Sequence, residues 1–220
     1  MNLSSWFSSN NIQEILYSIP ALLIALSFHE FAHAYVSYKL GDDTAKNMGR
    51  LTVNPFAHLD LIGTICLILL RFGWAKPVGI NPNKFKNRRL GMLLTALAGP
   101  AMNLLLAIIS GFAYAALYIF YGDTSSVTLS VFINIVYYIF VYNAFLCVFN
   151  LIPLPPLDGS KVLASLFPLK WEYKFYQYEK YMYFALLILI LTGMVSKIMS
   201  VLGGGLINFI WHIIIKILGY

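Results

Sequence analysis

The sequence predicts an all-α polytopic membrane protein, with about five to six transmembrane helices, short membrane-associated β-hairpins and one re-entrant or interfacial segment. Three observations lead there. The chain of 220 residues is 60% hydrophobic and only 11% charged, where soluble domains carry roughly 25% charged residues, and its mean hydropathy is +0.74. Apolar runs of membrane length alternate with short polar loops. The basic residues crowd into some of those loops and are missing from others, which is what the positive-inside rule produces. That distribution accounts for the net charge of +6 without a nucleic-acid partner, and the expected surroundings are a lipid bilayer. One domain over 1–220 uses up the length, with a core over about 12–165 and C-terminal helices over about 180–218. Cys66 and Cys147 lie far apart in apolar stretches and offer neither a disulfide framework nor a zinc-ribbon spacing.

Met1 to Asn11 lacks a basic n-region and is not expected to be a cleaved signal peptide. Trp6 and Phe7 read either as an interfacial anchor or as two aromatics on a loose end. A first long helix is expected from about Ile12 to Leu40, closed by Gly41. From Asp42 to Pro55 the chain turns polar. Arg50-Leu51-Thr52-Val53 has strand character and predicts a short hairpin, and Asn54-Pro55 predicts a turn. Leu59 to Leu70 is apolar but only twelve residues long, bracketed by Asp60 and Arg71. It is short for a span. Reading 59–72 as re-entrant or interfacial keeps the basic loops 39–58 and 71–89 on one side, the cytoplasmic one. Trp74 through Pro82, which includes Pro77, is expected as an extended ribbon. Its edge either pairs with an unwound substrate strand or covers a site.

Leu90 to Tyr121 is uncharged and long enough to span with tilt. The loop Gly122 to Ser126 has no basic residue and reads as outside, so Val127 to Leu151 spans back. Pro153, Pro155 and Pro156 then stop the helix and hold the chain extended. Lys161, Lys170, Lys174 and Lys180 mark the next connection as cytoplasmic, and the aromatic stretch from Trp171 to Tyr181 as interfacial. Tyr181 to Met199 reads as another span, broken by Gly203-Gly204-Gly205. Leu206 to Leu218 either spans marginally or lies on the surface.

Within the first helix stands His29-Glu30-Phe31-Ala32-His33. Positions four apart share a helix face, so the two histidines can bind one ion together, and H-E-x-x-H is a zinc pattern. Glu30 follows the first ligand directly, placed to act on a water held by that ion rather than to ligate it. A chance match in a chain of this composition is on the order of 0.1%. A carboxylate and two imidazoles in a membrane-length apolar run are costly unless they bind something. Asp158, at the end of the proline-rich segment, reads either as a third ligand or as the N-cap of a helix starting near Ser160. Asn103 lies in Gly99-Pro100-Ala101-Met102-Asn103 and needs a hydrogen-bond partner. It holds part of a site, binds substrate, or clamps two helices. Asn150 either caps free carbonyls or binds substrate. His58, with Asp60 two residues on, reads as an interfacial histidine near a helix start, as a partner of the metal site or as a further ligand.

These three stretches, His29 to His33, Gly99 to Asn103 and Asn150 to Gly159, occur in an order that resembles the site-2 protease family of intramembrane zinc metalloproteases. The chain looks most like the compact bacterial branch without a PDZ domain, over roughly residues 20 to 165. The resemblance implies one Zn2+ per chain on His29, His33 and Asp158, with Glu30 as catalytic base and Asn150 holding the substrate strand. It implies a multi-pass protein of the bacterial plasma membrane that hydrolyses a peptide bond within or near the transmembrane segment of a membrane-protein substrate. Asn54 to Asp60 also resembles this branch, with Leu61 where a proline commonly follows the aspartate. Two other classes use the same ligands: a zinc-binding membrane transporter, which needs no Glu after the first His, and a non-catalytic membrane scaffold, which is free to lose them.

Overall fold

A computed structural model describes residues 12–60, 63, 76–168, 175 and 177–219. Three long helices form its centre: α1 (Ile12–Lys39), α3 (Arg88–Tyr121) and α4 (Val127–Asn150), each packed against the other two. Between α1 and α3 lies the short α2 (Thr44–Asn47). After α4 come α5 (Asp158–Leu166), α6 (Glu179–Leu191), α7 (Met194–Ile198) and α8 (Gly204–Leu218). The helices start and stop on local chemistry. Asn87 and Ser126 accept from the backbone N–H groups of Leu90 and Leu129, which supplies the side-chain caps of α3 and α4. Gly41 reverses the chain after α1 at φ +107°, a conformation open to glycine.

Four helical stretches among the described residues are long and apolar enough to cross a bilayer: Leu16–Lys39, Arg88–Tyr121, Val127–Asn150 and Met194–Leu218. The sequence predicts five to six. Two differences account for part of the gap. The expected break at Gly203-Gly204-Gly205 is absent. A π turn over Met199–Gly203 joins α7 to α8 in one continuous rod, because Gly203 makes room for the Phe145 ring rather than for a turn. The chain breaks instead at Gly193, where φ is +75°. That leaves α6 with 13 residues, about 20 Å against a hydrocarbon core of about 30 Å. The expected anchor at Trp6 and Phe7, most of 59–72, Trp74 and the aromatics of 171–174 lie outside the described residues.

The hairpin expected at Arg50 to Val53 does not form, and the described residues hold a single bridge position, Leu59, in place of β-strands. Side chains take the backbone groups that a ladder would use. The buried Arg50 guanidinium donates to the Lys76 carbonyl at 3.0 Å. The His58 ring donates from Nε2 to the Thr52 carbonyl at 2.7 Å. Asn54 caps a 3-10 turn over Pro55–Ala57. A backbone bond between the two segments runs from Lys76 N–H to the His58 carbonyl, 2.7 Å.

Two polar clamps hold the end of the bundle where the site lies. The fully buried Asp42 carboxylate gathers three segments: Oδ2 accepts from Ser37 of α1 at 3.0 Å and from Asn81 N–H at 2.7 Å, and Oδ1 accepts from Thr44 N–H at 3.0 Å. Arg89, at the start of α3, donates to the carbonyls of Ser165, Leu166 and Phe167 at the end of α5, at 2.5, 2.8 and 2.6 Å. At the other side of the bundle an apolar core joins Ala107, Phe140, Val141, Ala144, Ile210 and Ile214 from α3, α4 and α8.

Candidate metal centre

The helical spacing of His29 and His33 sets both imidazoles on the face of α1 turned toward α3. The rings stand edge to face, with centroids 4.6 Å apart. Asp158, the first residue of α5, completes the cluster from 125 residues away in sequence. Its Oδ2 lies 3.0 Å from His29 Nε2 and 2.9 Å from His33 Nε2, and the two Nε2 atoms are 3.0 Å apart. All three residues are buried, and they are the one His/Cys/Asp/Glu cluster of ligating geometry among the described residues.

The other side of each ring decides what this triangle can hold. His33 Nδ1 lies 2.7 Å from the Thr95 carbonyl, which only accepts, so that nitrogen carries the hydrogen. His29 Nδ1 lies 2.5 Å from Asn103 Oδ1. The Asn103 amide is oriented by its own partners: Nδ2 donates to the Ala25 carbonyl at 3.2 Å and to Asn143 Oδ1 at 2.9 Å, and Asn143 Nδ2 in turn donates to the Ile139 carbonyl at 2.8 Å. His29 Nδ1 therefore also donates. In its neutral form each ring would then point an Nε2 lone pair at the same Asp158 oxygen. Three acceptors within 3.0 Å of one another repel unless a cation sits among them. Bonds of about 2.0–2.1 Å to tetrahedral zinc place N and O ligands about 3.4 Å apart, so the edges need open by only a few tenths of an ångström. Gly99 of α3 leaves the needed space. A Cβ there would collide with both rings, standing 2.6 Å from His29 Nε2.

Asp158 does not cap its helix: Leu157 holds the N-cap position, and the carboxylate turns to the histidines. Its Oδ1 accepts from Lys161 Nζ at 3.0 Å. Burial opposes its charge, but His33, His29 and Lys161 outweigh that and hold the carboxyl well below the usual carboxylate range. Gly159 lets the start of α5 press on the carbonyls of Leu151 and Ile152. Glu30, half-buried one residue on from His29, accepts from the Val78 N–H at 3.1 Å through Oε2, so the extended segment 76–81 lies beside it.

The remaining sequence candidates fall elsewhere. Asn103 is fully buried and holds His29. Asn150 is half-buried and donates to the Leu146 carbonyl of its own helix at 3.0 Å. His58 is buried outside the cluster, with Nδ1 unpaired. Asp60 accepts from Gly63 N–H at 2.8 Å. Sequence reasoning missed Thr95, Asn143, Lys161 and Val78. Asn143 had the same signal as Asn103, an amide inside an apolar helix, and Lys161 had its i+3 spacing from Asp158. Thr95 and Val78 act through the backbone and carry no signal.

Over 184 residues the chain is 42% identical to YwhC, a candidate zinc metalloprotease of Bacillus subtilis, an alignment covering 83% of this chain and 84% of that one. The chain belongs to peptidase family M50. The profile of Peptidase family M50 matches residues 116–193, a range that holds Asn150 and Asp158, in agreement with the site-2 protease resemblance of the motifs. Candidate zinc metalloproteases named Rip2 are 29% identical over 172 residues in Mycolicibacterium smegmatis and 27% over 169 in Mycobacterium tuberculosis. Each of these alignments covers 72% of this M50 chain and 62% of the relative. No solved structure matches.

Proposed function

We propose that this M50 chain is a zinc-dependent metalloendopeptidase of the bacterial plasma membrane that cleaves membrane proteins within or near a transmembrane segment. It acts as one domain with one zinc on His29, His33 and Asp158. One observation carries the reading. Two imidazoles whose Nδ1 hydrogens are engaged behind them converge with a carboxylate on one point, in a membrane-protein interior. Three protein ligands leave a tetrahedral ion one free position, the arrangement of catalytic rather than structural zinc.

Bound there, zinc supplies Lewis acidity and lowers the pKa of a water to about 7. The chain's own residues do the rest. Asn103 and the Thr95 carbonyl fix the tautomer and orientation of the two rings. Glu30 takes the proton of the attacking water on its carboxylate and returns it to the leaving amide nitrogen. The Val78 N–H holds one Glu30 oxygen, leaving Oε1 for that exchange. A substrate helix hides its carbonyls in its own hydrogen bonds, so it unwinds locally before cleavage. The motif resemblance supports a role for Asn150, at the end of α4, in holding the unwound strand. Five to six crossings belong to this reading, and reporter fusions at each loop count them.

The test is zinc content per chain together with cleavage of a membrane-protein substrate in detergent. Wild-type protein is expected to hold about one zinc and Asp158→Ala to lose it. Glu30→Gln is expected to keep the metal and lose turnover by about 10²–10⁴-fold. Full zinc in Asp158→Ala, or substantial turnover by Glu30→Gln, overturns the assignment.

A further inference from the structure

The two oxygens of Asp158 have different partners. Oδ2 faces both imidazoles, at 3.0 and 2.9 Å. Oδ1 turns the other way, to the Lys161 ammonium at 3.0 Å. The spacing makes this pairing local: residues three apart in the first turn of α5 share a face. The pair is also unequal in exposure. The Asp158 side chain is 6% exposed and that of Lys161 is 35%, so Lys161 reaches the buried carboxylate from the edge of the site.

A lone carboxylate beside a divalent ion has two ways to bind, through one oxygen or through both. Binding through both would fill a further position on the ion and would crowd the place where water enters. Nothing on the histidine side prevents it, since His29 and His33 contact the same oxygen. The contact that opposes it is Lys161, which holds Oδ1 away by a charge-assisted hydrogen bond. We infer that Lys161 is a positioning residue of the catalytic centre, holding Asp158 to one-oxygen ligation and so keeping a coordination position open. The inference rests on the metal reading of the triad. It adds a residue that otherwise reads as an ordinary cytoplasmic loop charge.

Cobalt(II) in place of zinc reports the difference directly, because visible absorption is stronger for a four-coordinate ion than for a five-coordinate one. The experiment loads detergent-purified wild type, Lys161→Met and Lys161→Arg with cobalt and measures metal per chain and the visible spectrum of each. Lys161→Met keeps the stem and removes the donor, and Lys161→Arg restores a donor. The expected result is strong absorption for wild type and Lys161→Arg, a several-fold weaker band for Lys161→Met, and about one cobalt in all three. Turnover of the zinc forms should follow the spectra, with Lys161→Met down about 10- to 100-fold in kcat and KM little changed. Lys161→Ala repeats the comparison if the methionine variant does not fold. A wild-type spectrum from a lysine-free variant loaded with one cobalt overturns the role of Lys161 and leaves the metal centre standing. A folded wild type that takes up no cobalt and no zinc overturns the metal reading itself.

Discussion

Adding one methyl group at Gly99 should weaken zinc binding without unfolding the protein. A Cβ built there meets the rings of both His29 and His33 at distances no real Cβ shows, with His29 Nε2 at 2.6 Å. Neither ring can swing aside cheaply. His29 is held at Nδ1 by Asn103 and His33 by the Thr95 carbonyl, at 2.5 and 2.7 Å. Relief must come from α3 backing away from α1 or from breaking one of those bonds. Overpacking of this kind costs about 1–3 kcal/mol. Because the strain falls on the ligands, it should appear as zinc affinity lowered about 5- to 150-fold. Competition against a coloured chelator measures this on purified Gly99→Ala. Gly111→Ala, on the same helix, is the control. There the Cβ meets the end of the Ile214 side chain at 2.8 Å and the Phe140 ring at 3.3 Å, away from the histidines. It should lower thermal stability and leave zinc affinity unchanged. Gly99→Ala binding zinc as tightly as wild type would refute the reasoning, since the rings would then have freedom that their anchors deny.

Asn103→Leu should weaken zinc about 10- to 100-fold, because His29 Nδ1 and the Ala25 carbonyl both lose a partner. A raised KM with zinc affinity intact would instead return Asn103 to the substrate. Asp42→Asn should lower thermal stability at neutral pH by about 1–3 kcal/mol, since four donors converge on that carboxylate. The pH dependence has a definite sign. Burial opposes the Asp42 charge, but the hydrogen bonds from Thr44, Asn81 and Ser37 override it and lower its pKa. The stability it contributes is therefore present above the unfolded value of about 3.9 and is lost as pH falls through the folded one. Melting curves of wild type and Asp42→Asn should draw together below about pH 4, and a constant gap down to pH 2 would count against the assignment.

The parts of this protein that were legible in the sequence are those where chemistry is local. The i, i+4 spacing of His29 and His33 is a property of one helix, and the cost of imidazoles in an apolar run made them conspicuous. The long helices α1, α3 and α4 were readable from their apolar runs, and their ends fall within a residue or two of the bounds expected. Asp158 was harder. Its own surroundings favoured a ligand but left a cap open, and its likeness to the family's motif strengthened the ligand reading, because the contact closes 129 residues from His29. Errors arose where a residue's local signal was overridden by a partner distant in sequence. Thr52 and Val53 favour a strand, but Arg50 and His58 tie that loop to carbonyls at Lys76 and Thr52. Three glycines in a row favour a break, but Gly203 lies against Phe145 and the helix continues. The same argument explains why the triad's supports escaped notice. Thr95 contributes a carbonyl, which every residue possesses, and Val78 an N–H, which every residue but proline possesses. What distinguishes them is that α3 and segment 76–81 deliver those groups to His33 and Glu30. The ligands can thus be read from residue type, but the orientation that makes them a site depends on how the three central helices pack.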